Sequence, residues 1–182
     1  MSQGRGLFIG RFQPMHLGHL HVLRKLASQH QELLVGVGSA NVSHTAHNPF
    51  TGGERVEMVH DSLREAGVTN ALVLPLPDIG RNTIWVSHVT SLVPRFGVLY
   101  SNNPLAKRLF EEAGHQVAPA PYHERDRFVG TQIRERMLAS KEWQSLVPPA
   151  AARVIASCRG VERLRDITSG ESHVVEGREA GL

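Results

Sequence analysis

Apolar residues in this chain gather into short runs, separated by stretches in which they recur every three or four positions. Gly6–Gly10, Glu32–Gly38 (Leu33, Leu34, Val35, Val37), Ala71–Leu76 and Val98–Tyr100 are runs of strand length, and a weaker run lies around Gln116–Ala118. Helical spacing occupies the intervals. Leu17–His30 would bury Leu20, Leu23, Leu26 and Ala27 along one side. Further helices are predicted over about Gly52–Ala66, Thr83–Leu92, Pro104–Ala113, Thr131–Ser140 and Pro149–Arg165, with Pro94 closing the second of these and Pro104 suited to a first turn. Ser39–Phe50 reads as a long polar loop. Strands and helices that alternate at this spacing form parallel sheets, so the fold class is α/β: a Rossmann-like, doubly wound parallel sheet with C-terminal helices. The domain would cover residues 1–167. Thr168–Leu182 is rich in Gly, Ser and Glu and poor in apolar residues, and is expected to be a disordered tail.

The chemistry concentrates at the first strand–helix junction, Ile9-Gly-Arg-Phe-Gln-Pro-Met-His-Leu-Gly-His-Leu-His21. His16 and His19 lie three apart and so share one face of the first helical turn. That turn also leaves backbone N–H groups unpaired and carries the positive end of the helix dipole. With Arg11 nearby, and with Gly18 keeping side-chain bulk away, these groups describe a pocket for phosphate. Simpler roles compete. The histidines could merely cap a helix start. A zinc site lacks partners, because the only cysteine is Cys158 and no carboxylate lies nearby. A dinucleotide fingerprint would need Gly-x-Gly-x-x-Gly, which is absent.

A second candidate is Phe128-Val-Gly-Thr-Gln-Ile-Arg134. Gly130 and Thr131 suit a turn and an N-cap, which puts Arg134 in the first turn of the next helix. A cation there opposes the dipole by a few tenths of a kcal/mol, and a bound polyphosphate would reverse the sign. A solvated surface arginine is the plainer alternative.

Composition narrows the field without changing it. The 182 residues carry a formal charge of +3, with Lys and Arg scattered, so an anionic ligand is accommodated and no nucleic-acid partner is indicated. One cysteine allows no internal disulfide and fits a reducing compartment. The apolar run Leu7–Ile9 is too short for a signal peptide and no segment reaches membrane-spanning length, so a cytoplasmic protein with no membrane partner is expected.

The two motifs together resemble the nucleotidylyltransferase superfamily, which pairs His-x-Gly-His near the N-terminus with a Ser/Thr-x-x-x-Arg-type signature near the C-terminus. The likeness is strongest to the archaeal-type nicotinamide-nucleotide adenylyltransferases. It is carried by Gly10-Arg-Phe-Gln-Pro-Met-His-Leu-Gly-His19, Gly38-Ser-Ala-Asn-Val-Ser-His-Thr45, Asn48-Pro-Phe-Thr-Gly-Gly-Glu-Arg55, Asp78-Ile79 with Asn82 and Ile84-Trp85, Asn103-Pro104-Leu105 and Gly160-Val-Glu-Arg-Leu164. Two departures stand out. The family usually has Ser-Gly-Thr where this chain has Val129-Gly130-Thr131, and Ser-Gly-Asn-Pro where it has Ser101-Asn102-Asn103-Pro104.

The resemblance implies that ATP and nicotinamide mononucleotide are joined into NAD with release of pyrophosphate. The attacking phosphate is already anionic, so positioning and charge neutralisation suffice. On this likeness the catalytic residues would be His16, His19, Arg11 and Arg134. ATP would lie along Gly10, Arg11, Phe12, Gln13, His16, Gly18, His19, Gly130, Thr131 and Arg134. The mononucleotide would meet Ser39, Asp78, Ile79, Asn82 and Trp85, with the indole stacked on the cationic ring. Mg²⁺ would arrive with ATP, held mostly by phosphate oxygens and water, with no metal site built from protein ligands. A homo-oligomer is implied as well, the hexamer being common among relatives. Trp143 is expected to be core, and His44 with Thr45 to close over ATP.

Overall fold

The computed structural model describes residues 3–121, 123–124 and 126–179, the last helix in side-chain detail as far as position 170. Five parallel strands, β1 (Gln3–Gly10), β2 (His30–Gly38), β3 (Ala71–Leu76), β4 (Val98–Tyr100) and β5 (Val117–Ala118), form one sheet in the order β3-β2-β1-β4-β5. The chain winds outward from β1 to β3, then returns to β4 on the other side of β1. The strand order therefore reverses between β1 and β4, where a parallel sheet opens a crevice at its C-terminal edge.

The alternation of β2 shows how two cores form from one strand. Leu33, Val35 and Val37 face a large cluster that also holds Phe12, Met15, Phe50, Met58 and Ile133. Leu34 faces the opposite way into a smaller cluster with Leu7, Leu99, Val89 and Phe110. Helices α1 (Leu17–Ala27), α2 (Gly52–Glu65), α5 (Gly130–Leu138), α6 (Pro149–Ser157) and α7 (Gly160–Glu179) contribute to the first cluster or pack against it. Residues of α3 (Asn82–Leu92) and α4 (Pro104–Glu112) build the second.

Local signals set most helix starts. Thr51 and Glu54 form a reciprocal capping box at α2, with Thr51 Oγ1 accepting from the Glu54 N–H at 3.2 Å and Glu54 Oε2 accepting from the Thr51 N–H at 2.9 Å. Asn103 caps α4 through Oδ1, followed by Pro104. Several boundaries differ from the sequence reading by a few residues, and three differences have a visible physical cause or add an element. The first helix ends at Ala27, because His30 already belongs to β2, where its ring bridges the Gly4 carbonyl (3.1 Å) and the Tyr100 hydroxyl (2.9 Å). The predicted helix over Pro149–Arg165 is two helices, broken at Arg159, whose φ is +51°. There Arg163 donates to the Cys158 carbonyl at the end of α6 and, through both Nη atoms, to the Glu54 carboxylate. A single 3₁₀ turn over Gln144–Leu146 was not predicted. Helix α7 continues past Arg165; the segment read as a tail falls mostly beyond position 170, and residues 180–182 lie outside the described residues. Trp143 is buried in the large core, as expected.

Phe110 is fully buried in the small core and lies edge-on against Trp85, with ring centroids 5.5 Å apart. Phe110→Ala is expected to lower the unfolding free energy by about 3–5 kcal/mol, read from urea denaturation at pH 7.

Candidate active site

Three clefts lie along the C-terminal edge of the sheet. The middle one, about 300 Å³, is lined by Arg11, His16, His19, His47, Thr131 and Arg134 among others, with no acidic side chain on its wall. Arg11 also lines a second cleft of about 310 Å³ at the β1–β4 mouth, while His16 and His19 also line a third of about 230 Å³. Arg11 thus separates the middle cleft from one neighbour and the histidine pair separates it from the other.

The histidines cap α1 themselves. His16 is the N-cap residue, and its Nδ1 accepts the His19 N–H at 3.2 Å, while His19 Nδ1 receives the His16 N–H at 3.4 Å. The rings stack with centroids 3.5 Å apart. Capping and phosphate contact are therefore compatible roles for one pair. Burial lowers the pKa of His16 to about 4; His19 is held well below its usual 6.5, by burial first and by His16 second. Both rings are then neutral at pH 7. Because each Nδ1 accepts from the backbone, the remaining proton sits on Nε2, which becomes a donor available to a ligand.

The second motif comes to the same place. Helix α5 has Val129 as its N-cap, with no side-chain cap, so the N-cap expected at Thr131 is corrected: the helix begins one residue earlier, at Gly130. Its first-turn N–H groups thus lack a capping side chain beside the middle cleft. Thr131 Oγ1 instead accepts from Arg134 Nη2 at 3.3 Å. Arg134 is buried, not a solvated surface residue, and donates to the carbonyls of Gln13 (2.6 Å) and Ala46 (3.1 Å). Burial first, and then nearby Arg11, lower its pKa; an arginine remains charged at neutral pH all the same. A Cβ on Gly130 would stand 3.0 Å from the same Gln13 carbonyl, so the glycine lets the two motifs touch. Gly18 works similarly, since a Cβ there would stand 2.8 Å from Phe128 Cβ; its direct effect is to seat the second motif on the first.

The cleft at the β1–β4 mouth gathers Gly10, Ser39, Asp78, Trp85 and Asn103. It adjoins a hollow of about 300 Å³ lined by Asp78, Ile79, Asn82 and Trp85. All five residues read for the mononucleotide are therefore brought together. Trp85 is half-buried, resting on Phe110 while lining both spaces. Two of the ATP candidates have other roles for their side chains. Phe12 is buried in the core, edge-on to His19 at 4.8 Å. Gln13 pairs its amide with the Phe50 backbone, donating at 3.0 Å and accepting at 3.1 Å.

Several residues escaped the sequence reading. His47, rather than His44 or Thr45, lines the middle cleft. Asn41 pins the backbone of Asp78, with Nδ2 donating to its carbonyl (3.0 Å) and Oδ1 accepting its N–H (2.7 Å), so that the carboxylate is left for other partners. His123 and Phe128 line the third cleft, with their rings nearly parallel. Among the described residues, no group of three or more His, Cys, Asp and Glu gathers to hold a metal ion, and no helix is long and apolar enough to cross a membrane.

Residues 7–136 match the cytidylyltransferase-like family model. The chain is 50% identical over 164 residues to the nicotinamide-nucleotide adenylyltransferase of Methanothrix thermoacetophila, covering 90% of this chain and 96% of that one. It is 48% identical over 169 residues to the enzyme of the same name from Halorubrum lacusprofundi, covering 93% and 96%. Among solved structures, a bifunctional NMN adenylyltransferase/ADP ribose pyrophosphatase from Francisella tularensis, complexed with AMP and a manganese ion, superposes with a TM-score of 0.76 at 19% identity. The match covers 99% of this chain and 56% of that protein. The Plasmodium falciparum nicotinic acid mononucleotide adenylyltransferase gives a TM-score of 0.58 at 9% identity, covering 88% and 98%. These distant likenesses establish the fold.

The buried histidines make stability depend on pH. Unfolded, His16 takes up a proton near pH 6.5; folded, it resists until about pH 4. Its contribution is complete above pH 6.5 and is lost as pH falls toward 4, on the order of 3 kcal/mol over that window. His16→Asn keeps a capping side chain and removes this proton uptake. Urea titrations from pH 7 to 4 are expected to show a shallower loss of stability for that variant than for the wild type. Val129→Ser supplies the missing cap of α5 and is expected to raise stability at pH 7 by about 0.5–1 kcal/mol in the same assay.

Proposed function

The chain belongs to the nicotinamide-nucleotide adenylyltransferases, enzymes of the cytidylyltransferase-like family that join ATP and nicotinamide mononucleotide into NAD and pyrophosphate, and we propose that its three clefts divide that reaction. The observation that carries the proposal is the middle cleft, whose wall among the described residues has no acidic side chain and joins the two neutral histidines, Arg134 and the uncapped start of α5. Such a wall suits polyphosphate and little else.

In this reading the adenine base enters the third cleft, against the His123–Phe128 wall. The α-phosphate passes the histidine pair, and the β- and γ-phosphates lie against Arg134, Thr131 and the start of α5. The mononucleotide occupies the β1–β4 mouth, its pyridinium against Trp85, with Ser39, Asp78, Ile79 and Asn82 around it. Its phosphate meets the α-phosphorus beside Arg11, the side chain shared by the two clefts. An oxygen of that phosphate forms the new P–O bond as the bond to the β-phosphate breaks, and pyrophosphate leaves. No proton need be removed first, so the protein's part is to bring two anions together and stabilise the charge shifted onto the leaving group. Neutral histidines donating from Nε2 suit this, since a donor aimed where charge develops needs no ionisation of its own. Mg²⁺ carried by the phosphates would neutralise further charge there. A homo-oligomer is also part of the reading, supported by the exposed apolar side chains of Ile84, Leu92 and Leu105.

The test is NAD formation from ATP, Mg²⁺ and nicotinamide mononucleotide, run beside nicotinic acid mononucleotide and pantetheine phosphate as acceptors. NAD and pyrophosphate are expected in equal amounts, and His19→Ala is expected to reduce kcat by about 10²–10³. Turnover confined to pantetheine phosphate would overturn the assignment. Trp85→Ala is expected to raise KM for the mononucleotide about tenfold with little change in KM for ATP. An unchanged mononucleotide KM would return Trp85 to a purely packing role.

A further inference from the structure

One strongly buried cation is absent from the reaction just described. Arg55 is fully buried on α2, and no carboxylate lies within ion-pairing distance of it among the described residues. Its guanidinium donates to four well-placed carbonyls: Arg11 (2.8 Å), Gly38 (2.7 Å), Ser39 (2.9 Å) and Thr51 (3.1 Å). A longer contact reaches Val42 at 3.4 Å. These acceptors come from three separate elements: the end of β1, the end of β2 and the start of α2.

A second observation falls at the same place. Ser39 has φ +51° and Phe12 has φ +50°, left-handed conformations that strain a non-glycine residue. Ser39 is held directly by the guanidinium. Phe12 directly follows Arg11, whose carbonyl is held by the same group. The two strained residues stand just beyond the ends of the two strands that the clamp joins. Gly38 and Ser39 line the β1–β4 cleft alone, whereas Arg11 lines that cleft and the middle one.

We propose that Arg55 is a positioning residue for adenylyl transfer, bracing the strained ends of β1 and β2 so that the mononucleotide and polyphosphate clefts stay in register across Arg11. The inference rests on the division of the clefts given above. Arg55 touches neither substrate. It acts through the backbone of Arg11 and Ser39, and the effect is greatest on the step that needs both ligands aligned, since a misplacement of about 1 Å can cost a factor on the order of 10² in rate. Two features suit an arginine to this task. Its planar fork reaches several carbonyls at once, which a lysine cannot do. Its charge also remains: burial lowers its pKa to about 10, with the field of Asp78 opposing the shift, so it is still a cation at neutral pH and adds positive potential behind both clefts.

The test uses the full chain with Arg55→Lys and Arg55→Gln. Circular dichroism and urea denaturation report folding, calorimetric titration reports ATP affinity, and NAD formation reports kcat and KM. For Arg55→Lys and Arg55→Gln the expected result is a folded protein whose ATP affinity is within about fivefold of wild type and whose kcat is reduced at least 100-fold. A merely structural role would lower the folded fraction and leave kcat per folded molecule unchanged. The proposal is overturned if kcat per folded molecule stays within fivefold of wild type, or if neither variant folds. Wild-type protein in the same assay keeps the two ideas apart: an inactive wild type counts against the reaction, whereas an active wild type with equally active variants counts against the brace.

Discussion

A site that must attract an anion from solution cannot have its cations neutralised beforehand by carboxylates, and this constraint shapes the whole C-terminal edge of the sheet. Arg55 and Arg134 are both buried, yet their guanidinium groups are solvated by main-chain carbonyls rather than by acidic side chains. Carbonyl dipoles satisfy the N–H donors without cancelling the net charge. The carbonyls are available because strand ends and loop turns lack the ladder partners that would occupy them. Among the described residues the acids that do pair with arginine do not line the middle cleft; Glu54, for one, binds Arg163 and caps the start of α2. In the proposed reaction a polyphosphate held there would relieve the repulsion among the gathered cations.

The histidine pair solves a related problem with neutral groups. A helix start needs its first N–H groups satisfied, and a phosphate needs donors. His16 and His19 meet the first need and, in the proposed reaction, would meet the second, because imidazole has an acceptor on one side and a donor on the other. Burial keeps the rings uncharged, and capping decides which nitrogen carries the proton. An Asp would cap equally well but, being acceptor-only, would present no donor to a ligand. The spacing of three is therefore a requirement of the capping box as much as of the phosphate site.

The architecture also explains why two sequence-distant motifs touch. The N-termini of α1 and α5 open on one cleft, and two glycines allow the contact: Gly18 admits Phe128, and Gly130 admits the Gln13 carbonyl. Arg134 then donates to that same carbonyl at 2.6 Å, across 121 positions of sequence. The two signatures form one structure, and neither is complete alone.

What the residues determined by themselves is what depends on near neighbours in the chain. Short apolar runs marked Ala71–Leu76 and Val98–Tyr100 to the residue, and Pro104 marked the start of α4, because local apolar clustering and first-turn preference are properties of near neighbours. The His16–His19 spacing pointed to a phosphate site for the same reason. The N-cap of α5 was misplaced at Thr131 because a valine in the capping position carries no sequence signal, and the break at Arg159 was missed because Arg163 secures it through Glu54, 109 positions away. Only the tertiary structure decided the roles of Gln13, Asn41 and Arg55, whose partners lie 37, 37 and up to 44 positions distant. A lone polar side chain in a sequence does not reveal which backbone group it will meet; that is settled when strands β1 and β2 pair and bring their ends together, because a hydrogen bond is fixed by distance and angle in space and not by spacing along the chain.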